Sequence, residues 1–227
     1  MKKKDEQIVI ERYSSRYLQH GYSPLTLGWD KGKQDLRYSI LFEDYNLEGK
    51  SILDIGCGFG DANKIIRQST ENYTYLGVDL VGELIEKAEE LYAGSSNIRF
   101  IQGNFLDLDL NEKFDIVVCS GMFNFKLVDS DNYTFIHRVI EKAVKYATEG
   151  VSCDFLSNKV DVQYEHTFHS DPSIVLNMAY DFSRNVVLKN NYMPFEFSLG
   201  IFLEQSFSTD DTIFNRFKNE RDYYRFY

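Results

Sequence analysis

The segment that most limits what this chain can become is Leu53-Asp54-Ile55-Gly56-Cys57-Gly58-Phe59-Gly60-Asp61. An apolar run from Ile52 to Ile55 ends in three glycines spaced by single residues, and Ala62, Ile65, Ile66 and Ser69 follow in an amphipathic pattern. The pattern predicts a strand, a tight glycine turn and a helix. Glycine suits such a turn because it adopts dihedrals that other residues resist, and because its missing Cβ lets a ligand approach the backbone. A nucleotide site is implied. It is not the dinucleotide fingerprint G-x-G-x-x-G, because the third glycine comes one residue early and Asp61 stands in its place.

The pattern continues as alternating strands and helices. Tyr73 to Val78 reads as a second strand with Asp79 at its tip, nineteen residues after Gly60, where a carboxylate can accept both hydroxyls of a ribose. Glu83 to Tyr92 carries Leu84, Ile85, Ala88 and Leu91 on one helical face, and Ile98 to Ile101 is a third strand ending in Gly103-Asn104-Phe105. A fourth strand, Ile116 to Cys119, opens into Ser120-Gly121-Met122-Phe123-Asn124-Phe125. In an open parallel sheet ligands sit beyond the carboxyl ends of the strands, so Ser120, Asn124 and Phe125 are pocket candidates. A helix over Asn132 to Ala147, ended by Gly150, leads to a fifth strand, Val151 to Leu156. The polar, aromatic stretch from Asp161 to Ser170 follows at the same edge, with Tyr164, His166 and His169. Asp171-Pro172 is an N-cap with proline at the first helical position, and Asn185 to Leu188 with Phe195 to Leu203 closes the sheet as an antiparallel pair.

The glycine segment resembles the first motif of the class I S-adenosylmethionine (SAM)-dependent methyltransferases, and the likeness extends over roughly Lys50 to Leu156. The resemblance implies an α/β, Rossmann-like seven-stranded sheet, mostly parallel with an antiparallel C-terminal strand pair and helices on both faces. It also implies SAM as cofactor, S-adenosylhomocysteine (SAH) as product, and no metal. By the same resemblance Gly56, Gly58 and Gly60 form the floor under the methionine part of SAM, Asp54 organises the turn and faces the ammonium group, and Asp79 with Leu80 meets the ribose. Asn104 stands where the family usually carries an aspartate beside the adenine, and its amide oxygen can accept from the adenine amino group without charge assistance. Phe105 either stacks near that ring or fills the core. A shorter likeness, in Asn191-Tyr192-Met193-Pro194-Phe195-Glu196-Phe197, Gly28-Trp29 and Leu36-Arg37-Tyr38, is to small bacterial methyltransferases encoded among surface-polysaccharide genes.

A chain of 227 residues suits one such domain: an N-terminal helical or lid segment over residues 1–49, a core over 50–203 and a tail over 204–227. A helical period at Leu36, Ile40, Leu41 and Tyr45 leads into the first strand, Gly28-Trp29-Asp30 signals a turn, and Ile213, Phe214, Phe217 and Tyr224 recur at roughly helical spacing in the tail. Met1-Lys2-Lys3-Lys4 runs at once into Asp5 and Glu6, and reads as a solvated tail. With 25 Lys and Arg against 35 Asp and Glu, a formal charge of -10 opposes nucleic acid as a substrate. No stretch approaches the ~18 apolar residues of a membrane helix. The expectation is a soluble, cytoplasmic protein, monomer or homodimer, acting on a small molecule. Cys57, Cys119 and Cys153 are an odd set with no metal-ligand spacing, which predicts reduced, partly buried thiols.

Methyl transfer from a sulfonium needs a nucleophile placed about 3 Å from the methyl and water kept out, so cofactor motifs stand out while substrate motifs do not. An oxygen acceptor favours a base, and His169, His166 and Tyr164 are the candidates; a neutral amine needs only alignment. Arg37 or Lys33 can meet the SAM carboxylate or an anionic substrate group, or lie on a solvated helix face. Tyr13, Tyr17 and Tyr22 offer hydroxyls or a ring for the sulfonium, and Tyr192 is a further substrate contact. The leading expectation is an O- or N-directed methyltransferase for a small polar metabolite. Its rivals are a SAM-binding regulatory or partner protein without turnover, and aminopropyl transfer, whose acidic amine-binding signature is not found.

Overall fold

In the computed structural model, which describes residues 1–28, 33–204 and 214, the glycine segment joins the first strand to the helix behind it. Helices α1 (Lys3–His20) and α2 (Gln34–Phe42) precede strand β1 (Lys50–Ile55). Then follow α3 (Ala62–Ser69), β2 (Tyr73–Asp79), α4 (Gly82–Leu91), β3 (Ile98–Gln102), β4 (Phe114–Cys119) and α5 (Asn132–Tyr146). The chain continues through β5 (Ala147–Leu156), α6 (Pro172–Ala179), β6 (Asn185–Lys189) and β7 (Glu196–Phe202).

The seven strands lie in the order β3-β2-β1-β4-β5-β7-β6. Pairing is parallel from β3 across to β5, whereas β7 runs antiparallel to both β5 and β6. This is the α/β, Rossmann-like arrangement that the resemblance to the class I methyltransferases implies. The chain moves outward from β1 through β2 to β3 and then returns to the other side of β1 as β4. That reversal opens a crevice beyond the carboxyl ends of β1 and β4, where open α/β sheets bind their ligands.

Central strands covered on both faces need continuous apolar sequence rather than alternation. Ile52, Leu53 and Ile55 of β1, and Ile116, Val117 and Val118 of β4, are all buried. One face packs Leu53, Val117 and Phe197 against Ile136, Val139 and Ile140 of α5, and the other packs Ile52, Ile116 and Val118 against Tyr38 and Leu41 of α2 and Ile66 of α3. Truncating one such side chain, as in Ile140→Ala, costs about 2–5 kcal/mol. Asp131 accepts from the Thr134 N–H and Asp171 from the Ser173 N–H, so α5 and α6 both start on an aspartate cap.

Two expectations are corrected. Gly150 does not stop α5, because β5 begins directly at Ala147; a Cβ at Gly150 would lie 2.8 Å from the Ile201 carbonyl oxygen, so glycine is there for close strand packing. Met1 to Lys4 is solvated as expected, with Lys2 to Lys4 exposed, but it is not a loose tail. Helix α1 begins at Lys3, and the fully buried Asp5 accepts from the N–H groups of Val128 at 2.7 Å and Asp129 at 3.0 Å, which docks the helix on the loop ahead of α5. The Trp29-Asp30 turn signal and the tail positions Ile213, Phe217 and Tyr224 lie outside the described residues. Cys57, Cys119 and Cys153 are free thiols, buried fully rather than in part.

Candidate active site

The turn after β1 is held by backbone and by one carboxylate. Gly56 and Gly58 have φ of 76° and 54°, in the region that glycine tolerates and other residues resist. The Gly56 and Cys57 N–H groups donate to the Val78 carbonyl, at 2.8 and 3.1 Å. The Gly58 N–H donates to Asp79 Oδ2 at 2.8 Å, and the Val81 N–H donates to Asp79 Oδ1 at 2.9 Å. Asp79 thus ties the glycine turn to the end of β2. Burial raises its carboxyl pKa above the ordinary value, and those backbone donors pull it back.

Beyond this turn lies a cavity of about 940 Å³. Clefts of ~300–1,000 Å³ hold a drug-sized ligand, so this one is near the upper end and has room for a cofactor and a small acceptor. Gly56, Gly58, Asp79, Leu80, Asn104 and Phe105 line one part of it; Ser120, Asn124, Phe125, Tyr164, His166 and His169 line another. A Cβ at Gly56 would stand 3.2 Å from Met122 Cβ, and one at Gly58 would stand 3.1 Å from Leu27 Cδ2. The cradle is open only because both are glycine. Such a cradle, with a carboxylate at the second strand tip, fits an adenosyl group.

Other candidates stand away from that wall. Asp54 is fully buried within the sheet and accepts from the Tyr75 hydroxyl at 2.8 Å, and Gly60 packs where a Cβ would lie 2.7 Å from the Phe100 ring. Tyr22 donates to Asp61 at 3.0 Å and meets Phe59 edge-on, and Tyr17 also packs on Phe59. Of the three tyrosines in the N-terminal segment, Tyr13 is the one at the cavity, and burial raises its pKa. The Tyr192 hydroxyl is buried with no hydrogen-bond partner among the described residues, and burial with nearby Asp154 raises its pKa.

Arg37 is not on a solvated face: it lines the cavity while paired with a carboxylate. It is 2% exposed, and its Nε donates to Glu196 Oε2 at 2.6 Å while Nη2 pairs with the second oxygen. Burial lowers its pKa, and nearby Asp154 opposes that shift. Phe105 is buried and packs on Tyr146, so it fills the core while presenting an edge to the cavity. The Asn104 amide donates to Glu6 at 2.6 Å and Asp107 at 3.0 Å, and its oxygen accepts from the Leu106 N–H.

The loops after β4 and β5 are stitched together. Asn124 Oδ1 accepts from the Leu156 N–H at 2.9 Å, its carbonyl accepts from the Phe168 N–H, and Phe125 bridges to Thr167. His169 is held at both nitrogens, with Nδ1 2.8 Å from the Ser157 carbonyl and Nε2 3.0 Å from Thr167 Oγ1. His166 is exposed, with its ring centroid 6.1 Å from that of Tyr164. Among the described residues no group of three or more His, Cys, Asp or Glu is placed to hold a metal, and no helix is long and apolar enough to cross a membrane.

Sequence reasoning missed several residues that build the cavity. Val9, Arg12 and Arg16 of α1 line the cavity with Tyr13, and their i, i+3, i+4, i+7 spacing was the signal that could have found them. Asp154, at the end of β5, accepts from Ser120 Oγ at 2.6 Å and the Gly121 N–H at 2.7 Å, and so holds the β4 loop.

Known proteins carry the same architecture. Over 154 residues the chain is 25% identical to the Mycobacterium tuberculosis protein named "Putative methyltransferase Rv1506c", covering 66% of this chain and 90% of that one. It is 27% identical over 129 residues to the fatty-acid O-methyltransferase of Mycolicibacterium smegmatis, covering 49% of this chain and about half, 47%, of that enzyme. Among solved structures, magnesium protoporphyrin IX methyltransferase from Synechocystis with bound SAH superposes with a TM-score of 0.63 at 15% identity, over 87% of this chain and 99% of that one. The N-methyltransferase NodS from Bradyrhizobium japonicum, also with SAH, gives 0.62 at 16% identity, over 84% and 97%. Residues 46–196, from ahead of β1 to the start of β7, match the family model described as a methyltransferase domain, and on that match the chain belongs to the methyltransferase domain family.

Proposed function

We propose that this protein transfers the methyl group of SAM to an oxygen or nitrogen of a small polar metabolite, a sugar or phosphorylated precursor of a surface polysaccharide. One observation carries the reading: a glycine cradle braced by Asp79 and a histidine-bearing loop line one cavity of about 940 Å³. When bound, SAM supplies a methyl group already activated by its sulfonium. The chain's own task is then positioning and exclusion of water.

Asp79 retains lone pairs beyond the two backbone donors it accepts, so it can take ribose hydroxyls while it holds the turn. Asn124 fixes the loops around the acceptor space, and α1 roofs it with Val9, Arg12 and Tyr13. A carbonyl only accepts, so His169 donates Nδ1–H to Ser157, and its Nε2 lone pair faces the Thr167 hydroxyl at 3.0 Å, which an acceptor hydroxyl would have to displace. A proton taken at Nε2 leaves an imidazolium still anchored through Nδ1. This favours an oxygen acceptor with His169 as base, His166 standing by on the same loop. Tyr164 lines the cavity and stays assigned to the acceptor, whereas Tyr22 and Tyr192 do not line it.

The O-directed and N-directed relatives leave the acceptor atom to experiment. We read the chain as cytoplasmic, a monomer or homodimer, with no nucleic-acid or membrane partner. A second reading, a SAM-binding partner protein without turnover, draws on Asn104, whose amide is already engaged by Glu6 and Asp107. Calorimetry with SAM, SAH and NADH tests the proposal: SAM and SAH should bind and raise the Tm by mass action. Binding of NADH with neither of the other two would overturn it.

A further inference from the structure

Five cationic side chains line the cavity: Arg12, Arg16, Lys33, Arg37 and Lys159. Three are committed elsewhere. Arg16 donates to the carbonyls of Leu25 and Thr26, Arg37 is paired with Glu196, and Lys159 is 3.0 Å from Asp171. Lys33 is exposed at the amino end of α2. Arg12 differs from all four. It is half-buried on the cavity face of α1, and among the described residues no carboxylate lies within ion-pair distance of it, although Asp and Glu outnumber Lys and Arg by 35 to 25. The carboxylates that share the cavity do not answer it: Glu196 is bound to Arg37, Asp79 to two backbone N–H groups, and Asp161 is exposed on its loop.

The position of Arg12 tells which part of the cavity it serves. Its guanidinium carbon stands 5.9 Å from the Phe125 ring centroid, within the range of a cation–π contact. Phe125 ends the loop after β4 and bridges to Thr167 of the histidine loop, so Arg12 faces the acceptor side rather than the glycine turn. A cation–π contact with a ring satisfies no N–H donor, so the guanidinium keeps the fork that takes carboxylate or phosphate oxygens in pairs.

We infer that Arg12, held over Phe125, is the docking residue for an anionic methyl acceptor, one that carries a carboxylate or a phosphate. The inference rests on the proposed methyltransferase reading and deepens it to a substrate class.

The test uses the full chain saturated with SAH, and calorimetry with two matched pairs of probes, glucose 6-phosphate against glucose and octanoate against octanol. At least one anion should bind about tenfold to about a hundredfold more tightly than its uncharged partner, the range of a charged hydrogen-bond pair. The pair that shows the preference tells phosphate from carboxylate. Arg12→Gln should remove the preference while SAH affinity stays within about twofold, and Arg12→Lys, which keeps the charge without the fork, should restore part of it. Three results would overturn the inference alone: no anion preference in the wild type, a preference that survives Arg12→Gln, or a tenfold loss of SAH affinity in that variant, which would give Arg12 to the cofactor. Failure of the wild type to bind SAH would instead overturn the methyltransferase reading, and this inference with it.

Discussion

Asp54 offers a sharp test of how the site region is built. It is fully buried at the centre of the sheet, one oxygen accepts from the Tyr75 hydroxyl, and the other has no partner among the described residues. Burial drives its pKa from an ordinary 3.8 to about 7; the Tyr75 hydrogen bond opposes the rise, and the nearby Asp79, Asp154 and Asp61 add to it. The folded chain therefore holds this proton more tightly than the unfolded chain does. Stability is greatest where both states are protonated, and is lost as pH rises from about 4 to about 7. Moving the pKa from 3.8 to about 7 corresponds to about 4 kcal/mol. Asp54→Asn keeps an acceptor for Tyr75 and abolishes the titration. Urea unfolding of both proteins from pH 4.5 to 8 should show the variant gaining on the wild type by up to about 4 kcal/mol, or about 8 °C in Tm at ~2.1 cal/mol/K of unfolding entropy per residue. Parallel stability curves for the two proteins would refute the argument.

Asp79→Ala should weaken SAH binding by about 1.5–3 kcal/mol in calorimetry, and replacing Gly58 by valine should abolish binding, because the new side chain would meet Leu27 at a φ it resists. Unchanged SAH affinity in Asp79→Ala would move the ribose contact elsewhere. Glu196→Ala leaves Arg37 buried without its carboxylate and should lower unfolding free energy by about 3–5 kcal/mol, while the double variant Arg37→Met/Glu196→Leu should recover much of that loss. An equally unstable double variant would argue that the pair contributes through its shape. His169→Ala should cut turnover of an oxygen acceptor by about 10²–10⁴ with SAH affinity near wild type. Full activity in both His169→Ala and His166→Ala would point to a nitrogen acceptor or to positioning alone.

Local physics decided what could be read from the residue order. The glycine turn, the strand ending at Asp79 and the Asp171-Pro172 cap each follow from dihedral preferences or periodicity over a few residues, the α/β class follows from the alternation of elements, and the seven-stranded sheet was implied by the family resemblance. The roles of single polar side chains did not follow, because they depend on partners far along the chain. Arg37 looks the same in sequence whether it faces solvent or meets Glu196, which is 159 positions away. Asp5 looks like part of a charged tail until the Val128 and Asp129 N–H groups are brought to it, and only that docking carries Arg12 and Tyr13 to the cavity. Sequence determined the chassis and the cofactor turn, because both are written in neighbouring residues. Tertiary structure alone decided which charges are paired inside the fold and which line the cavity, because pairing is settled by proximity in space.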